Sequence, residues 1–180
     1  MLFGGFIAIV CLQRLAELFI AKRNEHWMKQ QGAIEFGNNH YRWMVAMHLG
    51  YFLSLIIEVS FFRTGISPIW WLWLAIFIAA QAGRVWSLSS LGRYWNTKII
   101  VMPGANVVKK GPYKFIKHPN YIIVATEILV MALLFNAYIT AALFTCLNLA
   151  MMGVRIPAEE RALKSLTDYS TVFNSEEHNS

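Results

Sequence analysis

The sequence predicts an all-α integral membrane protein with about five transmembrane helices, the last two forming a helical hairpin, and a cytoplasmic C-terminal helix. Two observations support this prediction. Hydrophobic residues make up 57% of the 180 residues and charged residues only 14%, whereas soluble domains carry roughly 25% charged residues. The apolar residues are also grouped into five segments, and the longest reach the ~20 residues that a helix needs to cross a bilayer.

The five apolar segments are Leu2–Ile20, Trp43–Phe62, Ile69–Leu91, Tyr121–Phe135 and Tyr138–Val154. The first three are long enough to span the hydrocarbon core. The last two are short, and Asn136 between them predicts a hairpin. The first segment has neither a basic start nor a small-residue cleavage site, so we interpret it as a helix and not as a signal peptide.

Basic residues are concentrated in alternate connections. Nearly all of them lie between the first two apolar segments, between the third and fourth, or after the fifth, and the other connections contain only Arg63. The positive-inside rule therefore predicts an integral membrane protein with its N-terminus outside and its C-terminus in the cytoplasm. The net charge of +6 is explained by topology and by anionic lipids, so we expect no nucleic-acid partner.

The connection Gly92–Pro119 is long and has little helical periodicity. Its apolar residues, such as Ile99 and Val101, predict a loop folded onto the helices and not a disordered one.

After the fifth segment, Pro157 favours the first turn of a new helix, and Glu159 and Glu160 suit the positive end of that helix. We therefore predict a separate helix over about Pro157–Tyr169, and a disordered tail over Asn174–Ser180.

Several charged residues fall inside apolar segments, where unpaired charges are costly. Arg14 and Glu17 are three residues apart on one helix face, which predicts a pair. Arg84 has two interpretations: it forms a structural pair with Glu127, or it lines a cavity.

Motifs for several common activities are absent. The sequence contains no GxxxxGK[ST], GxGxxG, HExxH, CxxC or GxSxG pattern. Cys11 and Cys146 lack metal-ligand spacing, so we expect small buried side chains and no metal site. Any nucleotide-like cofactor would have to be bound without a Rossmann domain.

The stretch Gly111–Tyr121, GPYKFIKHPNY, is polar and rich in turn residues, although apolar segments flank it. Such a loop cannot lie in lipid, because its backbone groups would lack partners. Pro119 restricts His118 before it to extended geometry, which would fix the direction of the ring. Tyr113 and Tyr121 supply flat surfaces with hydroxyl groups.

Three further polar residues follow the fifth segment: Arg155, Glu159 and Glu160. Together with the loop, they suit a ligand that has an aromatic ring, a positive centre and an amino-acid zwitterion, and S-adenosylmethionine has all three. Residue types alone leave a structural interpretation open, since interfacial tyrosines are often only anchors.

An ordered set of motifs runs from Leu91 to Tyr169. It comprises Leu91-Gly92, Trp95, Gly111-Pro112-Tyr113, Lys117-His118-Pro119-x-Tyr121, the hairpin, and Glu159-Glu160. In order and spacing, this set resembles the isoprenylcysteine carboxyl methyltransferase family.

The resemblance implies a membrane methyltransferase with S-adenosylmethionine in a cytoplasmic pocket. The implied cofactor-binding residues are Gly111, Tyr113, His118, Pro119, Tyr121 and Glu160, and the implied catalytic residues are Arg155 and Glu159. Residues 1–180 would then form one membrane domain, with three helices in 1–91, a catalytic core in 92–170 and a tail in 171–180.

The implied reaction is methyl transfer to a carboxylate, enol or phenol oxygen of a lipid-like, isoprenoid or polyketide substrate. Related bacterial proteins are thought to methylate long-chain alkylpyrones. Membrane lipids and a lipid-like small molecule are the expected partners, with no obligate protein partner. The alternatives are an NADPH-dependent sterol or enone reductase of similar core, a phospholipid N-methyltransferase, and a non-enzymatic transporter or scaffold.

Three features depart from the family pattern. Lys117 stands where arginine is usual and so lacks the planar fork of a guanidinium. Ile123 stands where glycine often follows the tyrosine. The sequence after Tyr169 is short and lacks the tyrosine and the basic ending that are usual in the family.

Overall fold

The computed structural model describes residues 2–62 and 64–174. Within these ranges the helices are α1 (Leu2–Gln30), α2 (Asn38–Phe61), α3 (Trp70–Leu91), α4 (Pro119–Leu134), α5 (Tyr138–Leu166) and α6 (Tyr169–Asn174). Short 3-10 turns occupy Gly92–Tyr94 and Gly111–Lys114.

The prediction of a protein built from apolar helices is confirmed. Among the described residues, four helices are long and apolar enough to cross a membrane, namely α1, α2, α3 with its following turn, and α5. The fourth apolar segment forms α4, which has only 16 residues and is shorter than the ~20 residues of a perpendicular span.

Helix α1 is longer than predicted and ends at Gln30 instead of Ile20. The additional turns are polar, so hydropathy does not mark them. Lys29 donates to Glu25 one turn earlier at 2.6 Å, and such i,i+4 pairs support a helix after its apolar part ends.

The prediction of a separate helix beginning at Pro157 is wrong, because α5 runs through this proline to Leu166. Proline cannot donate to the carbonyl four residues before it, here that of Gly153. The residues that follow, including Glu159 and Glu160, are strong helix formers, so the helix continues. The predicted residues are therefore helical up to Leu166 as the end of α5. A short helix of six residues, α6, follows and begins where the predicted range ends. The predicted disordered tail lies outside the described residues beyond Asn174.

A two-stranded sheet was missed by the all-α prediction. Strands β1 (Ile34–Phe36) and β2 (Ile99–Val101) pair antiparallel, with Glu35 opposite Ile100. All of β2 is buried, and Ile99 and Val101 form a small core with Ala162. The loop that contains β2 is therefore ordered, as predicted. A strand of three residues is too short to show an alternating pattern in the sequence.

The chain divides into two compact units. The first comprises residues 2–38, 91–108 and 157–174, and the second comprises residues 39–90 and 109–156. The first unit thus contains α1, the sheet, the end of α5 and α6. The second contains most of α2, nearly all of α3, all of α4, and the larger part of α5.

An ion-pair network ties the sheet of the first unit to α1. Lys29 lies 2.6 Å from Glu35, and Lys98 lies 2.8 Å from Glu25 and 3.1 Å from Glu35. Partial burial tends to raise the pKa of Glu35, but hydrogen bonds from both lysines outweigh it and lower that pKa. Burial tends to lower the pKa of Lys98, but hydrogen bonds to the two carboxylates outweigh it and raise that pKa.

In the second unit, a charged pair lies buried between α3 and α4. Arg84 is 4% exposed and Glu127 is 2% exposed. The Nε atom of Arg84 donates to Oε1 of Glu127 at 2.9 Å, a second guanidinium nitrogen bonds to Oε2, and Gln81 adds a bond of 2.7 Å. The structural-pair interpretation of Arg84 is therefore confirmed. The pair of Arg14 and Glu17, in the first unit, is confirmed as well, at 2.8 Å.

The start of α5 is held by a carboxylate from α2. Buried Glu58 accepts hydrogen bonds from the backbone nitrogens of Ile139 and Thr140 at 3.0 and 2.7 Å, and from the Thr140 hydroxyl at 2.6 Å. A helix begins with amide groups that have no partner within it, so this carboxylate satisfies two of them. Asn136, with a left-handed φ of 53°, makes the bend between α4 and α5 that the sequence predicted.

The two cysteines differ from their prediction as small buried side chains. Cys146 is exposed and Cys11 is partly buried. On an apolar helix, exposure means contact with lipid, where a small side chain is as compatible as in a core.

Replacing Arg84 by alanine should lower the free energy of unfolding by about 3–5 kcal/mol, because Glu127 would stay buried without its cation. The double variant Arg84→Met with Glu127→Leu should recover most of this loss. Thermal unfolding in detergent measures both, with Arg42→Ala as the control at an exposed arginine. A single variant as stable as this control would contradict the structural role of the pair.

Acidification should weaken the first unit through Glu35. Its folded pKa lies below the ordinary value of 4.5, so its stabilising contribution is complete above 4.5 and is lost as the pH falls through the lower folded value. We expect Glu35→Gln to be less stable at neutral pH and to lose less stability on acidification. Unfolding temperatures across this pH range test the point, and an unchanged pH profile would disprove it.

Candidate functional site

The eight predicted site residues are divided between the two units. The second unit contains Gly111, Tyr113, His118, Pro119, Tyr121 and Arg155, and the first contains Glu159 and Glu160.

Gly111 begins the 3-10 turn at a position where no other residue fits. Its φ is +56°, and a Cβ atom there would overlap Oγ of Ser90 and lie 2.9 Å from Nε1 of Trp86. The turn is therefore packed directly against the last turns of α3. The sequence motif includes Gly111 but gives no sign of Trp86 or Ser90, because only the fold brings α3 against this turn.

Tyr113 is buried in the same turn and is bonded to the start of α4. Its hydroxyl oxygen accepts a hydrogen bond from Nδ2 of Asn120 at 3.1 Å. The oxygen atom of the same side-chain amide, Oδ1 of Asn120, is buried and has no hydrogen-bond partner among the described residues. A buried acceptor of this kind favours a ligand donor. The sequence prediction omits Asn120 because it fills the variable position of the motif, although a polar residue there is a usable signal.

His118 lies just before α4, which Pro119 begins, and Tyr121 lies in the first turn of that helix. Their rings meet edge to face, with centroids 5.8 Å apart and planes at 76°. The prediction that His118 is extended is wrong for half of its backbone, since φ is −132° but ψ is 63°. This ψ lets the carbonyl of His118 accept the Tyr121 N–H at 3.3 Å, which brings the two rings together.

Arg155 on α5 reaches the same aromatic pair. It is only 5% exposed, and its Nε atom donates to the Tyr121 hydroxyl oxygen at 3.4 Å. A hydroxyl that accepts from an arginine retains its own proton as a donor. His118, Tyr121 and Arg155 therefore form a continuous series of contacts that combines a cation, a hydroxyl and two aromatic faces.

In the first unit, Glu160 is placed by α6. Its Oε1 accepts a hydrogen bond from the Tyr169 hydroxyl at 3.4 Å, and its Oε2 lies 3.5 Å from Nζ of Lys164. Burial raises the pKa of Tyr169, and the charges of Glu160 and Glu159 raise it further, so Tyr169 stays protonated as a donor. In the sequence, Tyr169 is marked only as the end of a predicted helix.

Much of this sequence is similar to the sequences of known proteins. Residues 73–165, which include all eight predicted site residues, match the profile of the "Isoprenylcysteine carboxyl methyltransferase (ICMT) family". The chain is 50% identical over 164 residues to "Uncharacterized protein YpbQ" of Bacillus subtilis (strain 168), covering 91% of this chain and 97% of that protein. An "Uncharacterized protein" of Haemophilus influenzae Rd is 27% identical over 160 residues, covering 88% and 93%.

Gly111→Ala should displace the 3-10 turn from α3. The left-handed backbone alone costs an alanine about 1–2 kcal/mol, and the contact with Ser90 adds a steric cost of about 1–3 kcal/mol. Gly104→Ala is the matched control, because Gly104 has a φ of +73° but nothing within 4 Å of the position that a Cβ atom would take. Thermal unfolding should show a clearly larger loss for Gly111→Ala, and equal losses would contradict the close packing.

Proposed function

The chain belongs to the isoprenylcysteine carboxyl methyltransferase family, and on that premise we propose that it transfers a methyl group from S-adenosylmethionine to an oxygen atom of a lipid-like acceptor. The family supports a membrane methyltransferase, and its members generally use this cofactor. The observation that carries the proposal is the contact series of His118, Tyr121 and Arg155, which lies within the matched residues.

The residues of the second unit fit such a cofactor. The buried acceptor Oδ1 of Asn120 suits a donor such as a ribose hydroxyl or an adenine amino group. The rings of His118 and Tyr121 suit a sulfonium, because aromatic faces attract cations. Within this unit, the residues proposed to hold the cofactor are Gly111, Tyr113, His118, Pro119 and Tyr121, and we add Asn120. Glu160, in the first unit, is proposed as a cofactor-binding residue from the family resemblance alone.

When bound, the cofactor would supply a methyl group attached to a positively charged sulfur. The acceptor oxygen would form the new O–CH3 bond with its own electron pair, and the electron pair of the broken S–CH3 bond would stay on the sulfur, which becomes neutral. Arg155 is proposed to orient an anionic acceptor, since a buried guanidinium attracts a carboxylate or an enolate. An acceptor that is already anionic requires no general base, so orientation is the main task of the protein. Glu159 follows Arg155 by four residues along α5 and is proposed to contact the acceptor as well.

The acceptor is proposed to enter from the bilayer. Ile122, next to Tyr121, and Val154, next to Arg155, expose large apolar side chains, and such surfaces on membrane helices face lipid. A carboxylate, phenol or enol on an isoprenoid or polyketide chain, such as a long-chain alkylpyrone, fits this route. The proposed orientation has the N-terminus outside and the C-terminus and site in the cytoplasm, as the distribution of basic residues favours.

Ligand binding separates the transferase from the reductase alternative. S-adenosylhomocysteine should raise the unfolding temperature of the purified protein, because a ligand that binds only the folded state stabilises it. NADPH should leave the unfolding temperature unchanged. Stabilisation by NADPH alone would contradict the proposal.

The acceptor can be identified by mass spectrometry of membrane lipids after labelling with an isotopic methyl donor. We expect a labelled O-methyl product that is absent without the protein. Label on a phospholipid nitrogen would instead support the N-methyltransferase alternative.

Tyr121→Phe and Arg155→Lys should each reduce turnover by about 10²–10³-fold, as for other preorganised donors, and should leave S-adenosylhomocysteine binding nearly intact. Phenylalanine removes only the hydroxyl that Arg155 contacts, and lysine keeps the charge but loses the fork. Arg161→Ala is the control, because Arg161 is an exposed arginine on the same helix. Turnover equal to that of this control would remove Arg155 from the mechanism.

A further inference from the structure

A cavity of about 380 Å³ lies in the first unit, and none of its lining residues is assigned to methyl transfer. It is lined by Arg23, Asn24, His26, Trp27 and Arg93. Four of these lie in the polar extension of α1, and the fifth lies in the 3-10 turn that follows α3. We call this cavity the arginine pocket.

The guanidinium of Arg93 is held in place by an aromatic ring. Its Cζ atom lies 5.3 Å from the ring centroid of Trp27, a cation–π distance. Tyr94 packs edge to face against the same ring, with centroids 5.9 Å apart. A guanidinium stacked in this way keeps its N–H groups in its own plane, where they can bind an anion.

A buried amide fixes the turn that carries Arg93. Asn24 is 4% exposed, and its Nδ2 atom donates to the carbonyl oxygens of Gly92 at 3.2 Å and of Trp95 at 2.8 Å. Gly92 has a φ of +54°, which allows its carbonyl to turn toward α1. The pocket is therefore preorganised, because the turn cannot move without breaking two hydrogen bonds.

The arginine pocket keeps its positive charge. Neither Arg23 nor Arg93 forms an ion pair with a carboxylate anywhere in residues 2–62 or 64–174. Three acids of this unit are bound to other cations instead: Glu17 to Arg14, and Glu25 and Glu35 to Lys29 and Lys98. Two arginines without carboxylate partners in one preformed cavity favour an anionic ligand.

The position of the pocket along α1 indicates which class of anion the pocket binds. The apolar part of the helix ends at Ala21, and Phe19 and Ile20 before it are exposed, so they face lipid tails. Arg23 follows at the level where lipid headgroups begin. A soluble anion would not need this depth, whereas basic pockets at the ends of membrane helices suit phosphate headgroups.

We propose that the arginine pocket binds the phosphate group of an anionic phospholipid. Arg23 and Arg93 bind the phosphate oxygens, and Trp27 packs beside the glycerol region, while the acyl chains lie along the exposed apolar face of α1. This site is independent of the proposed methyl transfer, because it shares no residue with the proposed active site.

Native mass spectrometry of the protein released from nanodiscs tests the proposal. The nanodiscs contain equal amounts of phosphatidylglycerol and phosphatidylcholine, and we expect the protein to retain phosphatidylglycerol selectively. The double variant Arg23→Gln with Arg93→Gln should lose about fivefold in retention for each arginine replaced. Arg42→Gln removes the same charge from an exposed position of α2 and should retain the lipid as the native protein does.

Three outcomes would overturn the proposal. The first is equal retention by the double variant and the native protein, with both shown to be folded by size-exclusion chromatography. The second is equal retention of a carboxylate-headed anionic lipid, since charge alone would then explain binding. The third is complete displacement of the lipid by soluble glycerol phosphate at matched concentration, which would assign the pocket to a soluble phosphate.

Discussion

Polar groups placed among membrane helices must find their partners within the protein, because lipid offers none. Two buried acids meet this requirement in the second unit. Glu127 binds Arg84 and so joins α4 to α3. Glu58 binds the first amides of α5 and so joins it to α2. The helices that carry His118, Tyr121 and Arg155 are thus fixed by interactions within the apolar segments.

The candidate site begins where these fixed helices end. Gly111 packs against the last turns of α3, and Tyr113 bonds to Asn120 at the start of α4. The Arg84–Glu127 pair holds α3 and α4 together, and the loop contacts both helices. The loop is therefore held in one position by its contacts with them. Preorganisation of this kind is what a reaction that depends on orientation requires.

The first unit uses charge in two different ways. Glu25 and Glu35 form ion pairs with Lys29 and Lys98, which hold the sheet against α1 and neutralise the two carboxylates. Arg23 and Arg93 are not matched by acids within the described ranges, and Arg93 is steadied by Trp27. The glutamate–lysine pairs therefore stabilise the fold, whereas the charges of the two arginines are available to a ligand.

The sequence by itself determined the apolar helices, the bend at Asn136, the Arg84–Glu127 pair as one of two interpretations, and the family. These features depend on the composition of neighbouring residues, or on motifs whose order can be read directly from the sequence. Only the tertiary structure decided that α5 continues through Pro157, that β1 pairs with β2, and that Asn120 leaves an acceptor buried. Each of these depends on competition between local preferences or on partners distant in the chain, and local sequence patterns contain neither.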